Sequence, residues 1–186
     1  MRVLVLLFSL LAVLPTAALA DLRELEALME SPASLSGRFE QVKYLAALDT
    51  EIASSGRFAY ERDSEIRWQT LEPIENMLRL TPARITSEQA GTVLSQLETR
   101  NNPVVALFSD IFFGVMTARW STLAEHFDMQ TRIAESHWQA TLMPKASEVQ
   151  QVVSKVELQG DRYMRQIVLH EAGGDWTRIR FYDIQQ

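Results

Sequence analysis

Cysteine does not occur in the 186-residue chain. Its absence excludes a disulfide framework, so the fold has to be held by its core. It also excludes a thiol nucleophile, a CxxC metal site and acylation of a lipobox cysteine. Other signatures of chemistry are missing too: there is no GxSxG elbow, SxxK pair, HExxH helix or GxxxxGK[ST] loop. The three histidines, His126, His137 and His170, are scattered, and none has a second ligand type at helical i, i+4 spacing. His126-Phe127-Asp128 would put two ligands on one face of a strand, an arrangement more often found as a solvated pair. Carboxylates alone would have to carry any catalysis, and nothing pairs them by spacing. No enzyme, metal or cofactor is expected. Runs of basic residues, linkers, internal repeats and low-complexity segments are absent as well.

What is present begins with MRVLVLLFSLLAVLPTAALA. Arg2 is a short basic region, Val3 to Val13 an apolar one, and Pro15 breaks it. Ala18-Leu19-Ala20 is a small-x-small cleavage signal ahead of Asp21. This pattern predicts a secretory signal peptide cleaved after Ala20, too short to span a membrane. The expected organisation is a signal peptide over 1–20 and a single domain over 21–186, working in the periplasm. Loss of the leader removes one basic residue and takes the net charge from −6 to −7. That acidic excess argues against nucleic acid or an anionic membrane as the main partner.

Along the mature segment the pattern predicts a helix N-capped by Asp21, with Leu22, Leu25 and Leu28 as its apolar stripe. Ser31-Pro32 ends it. Strands are predicted over 35–45, 51–60 and 65–70, with shorter ones over 76–80 and 84–87. In the third of these Ile66, Trp68 and Thr70 alternate with Glu65, Arg67 and Gln69. Asn101-Asn102-Pro103 opens a helix that continues as VVALFSDIFFGVM. Apolar residues cover most of its circumference, so it must be buried on more than one side. A second helix is expected over 117–127. Strands over 127–133, 136–143, 152–159, 162–170 and 175–184 then form a meander, with Gly160-Asp161 and Gly173-Gly174 as turns.

Many antiparallel strands with few helices define an α+β class. The expected architecture is an antiparallel sheet curled into an unclosed β-barrel, with the helix after Pro103 as a helical lid over an apolar cavity. A binding protein with an apolar interior follows from that inventory.

Gly56 to Pro73, GRFAYERDSEIRWQTLEP, resembles the periplasmic lipoprotein carrier family, LolA. The family has an arginine at the end of one strand and, six residues on, a tryptophan ahead of a T-x-P-type turn. Here these are Arg62, Trp68, Thr70 and Pro73. Phe39-Glu40-Gln41 matches its Phe-x-Gln, and Leu142 to Ser147, LMPKAS, is similar to its LTPKAS turn. The resemblance spans 35–182. It implies a soluble monomeric carrier that holds the acyl chains of lipoproteins or a related lipid. Such a carrier passes its cargo from an inner-membrane donor protein to an outer-membrane acceptor. It also implies that Arg62 latches the lid by donating to its backbone carbonyls, which the five-donor guanidinium suits.

With one face of each strand taken as the wall, the expected lipid-binding residues are Phe39, Phe58, Tyr60, Ile66, Trp68, Leu78 and Leu80. Trp138, Leu142, Ile167 and Leu169 come from the second half, and Val105, Phe108, Ile111, Phe112 and Met116 from the lid. A one-residue slip of register would invert such a set. The chain departs from the family at Asp63, where proline is common. It also ends at Gln186, where the family carries a further loop and strand tied to outer-membrane delivery. That difference leaves cargo and acceptor open. A periplasmic protein-binding or sensor domain on the same sheet is the alternative, and a lipid-modifying carboxylate enzyme a third reading.

Overall fold

The computed structural model describes residues 16–101, 103–116 and 119–186, with side chains placed except at 16–21, 101, 103, 104, 107, 108, 110, 115 and 116. After helix α1 (Thr16–Leu28), six strands follow one another: β1 (Ser34–Leu45), β2 (Thr50–Glu61), β3 (Glu65–Glu72), β4 (Asn76–Leu80), β5 (Arg84–Gln89) and β6 (Thr92–Glu98). Helices α2 (Pro103–Met116) and α3 (Trp120–His126) interrupt the strands. The chain then resumes as β7 (Phe127–Ala134), β8 (His137–Pro144), a short α4 (Ser147–Gln150), β9 (Val153–Gly160), β10 (Met164–Glu171) and β11 (Trp176–Gln185).

All eleven strands lie in one antiparallel sheet of order β6-β5-β4-β3-β2-β1-β11-β10-β9-β8-β7. Two meanders are thus joined side by side through β1 and β11, where Phe39 faces Phe181 and Gln41 faces Ile179. The edges β6 and β7 remain unjoined, so the barrel is open, as expected.

Except in β6, period-two alternation puts one row of the strands inside. Gly56, Phe58 and Tyr60 of β2 are buried with Ile66 and Trp68 of β3 and Leu80 of β4. Trp138, Ala140 and Leu142 do the same on β8. The helices close this inner face. Leu25 of α1 and Leu123 of α3 are fully buried, and Trp120 of α3 packs edge-on against Trp138 at 5.1 Å. From α2, Phe112 meets Trp68 at 5.9 Å and Phe113 meets Tyr60 at 6.5 Å. Gly114 lets α3 fold back, since a Cβ there would stand 3.0 Å from Leu123.

Three elements differ from the sequence expectation. Strand β6 was not anticipated: all seven of its residues are exposed, so no buried face imposes an alternation. It is set by the Ala90-Gly91 turn, both residues at positive φ, and by a bulge beside Ser87. Helix α1 already runs through Asp21 rather than being capped by it. Helix α4 is a single turn between β8 and β9, too short to leave a periodic pattern. The expected helix start at 117 lies outside the described residues; α3 is in place from Trp120.

Candidate functional site

A cavity of about 390 Å³ lies between α2 and the inner face of the sheet. Ile66 and Trp68 of β3, Leu78 and Leu80 of β4 and Ile85 of β5 form one wall. Val156 of β9, Ile167 and Leu169 of β10 and Ile179 of β11 form the facing wall, and Ile111 and Phe112 of α2 the roof. Cross-strand pairing sets these neighbours: Trp68 is opposite Leu78, Ile66 opposite Leu80, and Ile167 opposite Ile179. One end is polar, with Gln41 and Lys43 of β1, Glu171 of β10 and Thr177 of β11.

Of the residues expected to line the cavity, Ile66, Trp68, Leu78, Leu80, Ile111, Phe112, Ile167 and Leu169 come together there. Phe39, Phe58, Tyr60, Val105, Trp138 and Leu142 are buried in the core rather than in the cavity wall. Phe39, on the same inward row of β1 as Gln41 and Lys43, is stacked on Trp68 with ring centroids 3.8 Å apart. Phe58 meets Phe181 edge-on at 5.3 Å, and Trp138 donates its indole N–H to the carbonyl of Asp161 at 2.6 Å. Phe39 and Phe58 both pack against Trp68 of the wall. The side chains of Phe108 and Met116 lie outside the described residues. Ile85, Val156 and Ile179 join the wall without having been expected; the alternation of Thr177, Ile179 and Phe181 in β11 was the available signal.

Arg62 sits in the β2–β3 turn. Among the described residues its side chain donates to the carbonyls of Ser31 and of Pro32, the latter at 3.3 Å, in the segment leaving α1. Its backbone N–H donates to the carbonyl of Ala33 at 2.9 Å. The neighbouring Asp63 pairs with Arg119, which precedes α3. One hairpin therefore grips the helical layer at two places, the exit of α1 through Arg62 and the approach to α3 through Asp63; among the described residues Arg62 thus bonds the segment after α1 and not the carbonyls of the α2 lid that the resemblance implies. Proline at position 63 would remove the second grip.

A larger hollow, about 740 Å³, lies on the outer face over Arg38, Arg57 and Arg67. Its charges are largely matched: Arg67 contacts Glu61 at 3.0 Å and Glu65 at 3.2 Å, and Arg38 faces Asp183 at 3.9 Å. On the outer face of β9, Lys155 and His170 hydrogen-bond Glu157, at 3.0 and 2.7 Å, and hold its carboxyl below the ordinary 4.5. Among the described residues no three of His, Cys, Asp or Glu gather as a metal site, and no helix is long and apolar enough to cross a membrane.

The sequence matches the family described as outer membrane lipoprotein carrier protein LolA over residues 30–186. No curated protein matches it. Among solved structures it is similar to a LolA superfamily protein from Nitrosomonas europaea, at 11% identity and a TM-score of 0.49, covering 90% of this chain and 92% of that one. It is similar to a DUF1329 family protein from Desulfovibrio piger at 8% identity and a TM-score of 0.50, covering 92% of both chains. The Pseudomonas aeruginosa MucA/MucB complex is matched at 15% identity and a TM-score of 0.45, over 90% of this chain and 55% of that one. The likeness to the Desulfovibrio structure is one of fold.

Proposed function

Because the chain belongs to the outer membrane lipoprotein carrier family, we propose that it shelters acyl chains of lipoproteins, or of a related lipid, beneath α2 and carries them through the periplasm towards the outer membrane. In this reading residues 1–20 are a signal peptide removed after Ala20, and 21–186 act as one carrier domain. A donor at the inner membrane loads it and an acceptor at the outer membrane unloads it.

The observation that carries the proposal is the apolar hollow between Trp68, Leu80 and Leu169 of the sheet and Ile111 and Phe112 of the overlying helix. Exposing a fifteen-carbon tail to water costs about 12 kcal/mol, at about 0.8 kcal/mol per methylene. A roofed apolar groove removes that cost without any covalent step. In this reading the hairpin of Arg62 and Asp63 acts as the latch. It ties the helical layer to the sheet through hydrogen bonds that an incoming partner can replace.

Lipid extraction and native mass spectrometry of the purified protein test the proposal. Acyl species that co-purify at near-stoichiometric occupancy support it. A protein that emerges empty, and takes up no acyl ligand when offered one, refutes it.

A further inference from the structure

Shelter for a hydrocarbon tail does not account for the polar end of the cavity. Gln41 and Lys43 lie on the inward row of β1, Thr177 is the cross-strand partner of Lys43 on β11, and Glu171 ends β10. The ammonium of Lys43 stands 2.9 Å from Oε1 of Glu171, and the two side chains are 37% and 27% exposed. A pair at that depth has lost part of its hydration and contributes little net stability. Among the described residues, neither the Gln41 amide nor the Thr177 hydroxyl makes a side-chain hydrogen bond. Four strand positions that could have continued the apolar wall are spent instead on groups with unused hydrogen-bonding capacity.

We propose that this end is a head-group subsite that takes the uncharged polar junction of an acylated ligand, its ester or amide carbonyls and neighbouring hydroxyls. The inference rests on the carrier reading and names what that carrier selects. The acyl chain lies along the apolar wall from Leu169 towards Leu80. Lys43 gives one of its three N–H donors to Glu171 and has two left for carbonyl oxygens. Thr177 and Gln41 add further donors, and the second oxygen of Glu171 accepts from a hydroxyl. The subsite carries no net charge, because Glu171 offsets Lys43. A free fatty acid would have to give up hydration of its carboxylate in a partly dry subsite where Glu171 already neutralises Lys43, so no net opposite charge compensates the loss. The site therefore selects acyl esters and amides over free acids of the same chain length.

Displacement of the uncharged fluorophore N-phenyl-1-naphthylamine from delipidated protein tests this. The competitors are 1-palmitoylglycerol and palmitate, each below its micelle concentration. Wild-type protein is expected to bind the acylglycerol about tenfold more tightly than palmitate, the size of one hydrogen bond to a charged group. Glu171→Gln frees the charge of Lys43 and is expected to reverse the preference. Lys43→Met is expected to weaken the acylglycerol about tenfold. Equal wild-type affinities, unchanged by Glu171→Gln, overturn the subsite and leave the carrier reading standing. Displacement by neither ligand overturns both. The wild-type comparison needs no variant to fold.

Discussion

At Gly56 a side chain has no room. A Cβ there would stand 1.9 Å from the carbonyl oxygen of Gln69 and 2.9 Å from the ring of Phe39. Gly56→Ala is therefore expected to cost about 3 kcal/mol by overpacking, read as a lower denaturation midpoint at unchanged slope. Tyr60 behaves in the opposite way. Its hydroxyl is buried without a hydrogen-bond partner among the described residues, and burial, offset only in part by the nearby Arg62 guanidinium, pushes its phenol above the ordinary 10. Tyr60→Phe removes a buried hydroxyl that has no hydrogen-bond partner among the described residues, so stability is expected to hold or rise by about 1 kcal/mol in thermal or urea unfolding. Arg62 belongs to a third kind. Its bonds to Ser31 and Pro32 are exposed, so Arg62→Ala is expected to lower stability by only about 1 kcal/mol. Cargo should nonetheless leave faster, as measured by transfer of a fluorescent acyl ligand to empty vesicles. Arg62→Lys is expected to leak similarly, because an ammonium lacks the planar fork.

Whether an element could be read from sequence depended on whether one of its faces was buried. In β3 the alternation of Ile66 and Trp68 with Arg67 and Gln69 is stamped by the core, and the strand was legible together with its inward row. Six of the eight expected cavity residues follow from such rows, and the other two, Ile111 and Phe112, from the apolar helix α2. The row predicts which residues are inside, but not whether they meet one another or enclose a hollow. Phe39 and Trp138 were inside for that reason and still missed the cavity wall. β6 has no buried face, and Val93, Leu94 and Leu97 are all about half exposed. The pairing of Lys43 with Glu171 joins positions 128 residues apart, which no local pattern encodes. The same contrast predicts dynamics. Amides of β1, paired on both sides, are expected to exchange hydrogen close to the global unfolding limit. Those of β6, paired only to β5, are expected to exchange orders of magnitude faster by local opening. Mass-spectrometric exchange on peptides covering 34–45 and 92–98 checks this.

For the whole molecule, acid is the informative perturbation. The Glu157 carboxyl is held below its ordinary value by Lys155 and then His170. Burial pushes Asp161 up, but the Tyr163 backbone N–H and Arg165 outweigh it, so it also lies below its ordinary 3.8. For both groups the folded state binds protons more weakly than the unfolded chain. Their stabilisation is present at neutral pH and is lost as pH falls through about 4.5 and below. Urea midpoints measured from pH 6 down to pH 3 are expected to fall, and Asp161→Asn is expected to flatten part of that slope.

The central seam of β1 and β11 also governs what truncation does to this architecture. Cutting the final strand would not trim a border; it would split the sheet down its middle into two unconnected fans, each with a bare flank. β11 follows the other ten strands in the chain and is the strand that pairs one fan with the other. The two flanks of the groove are thus held in register by a single strand.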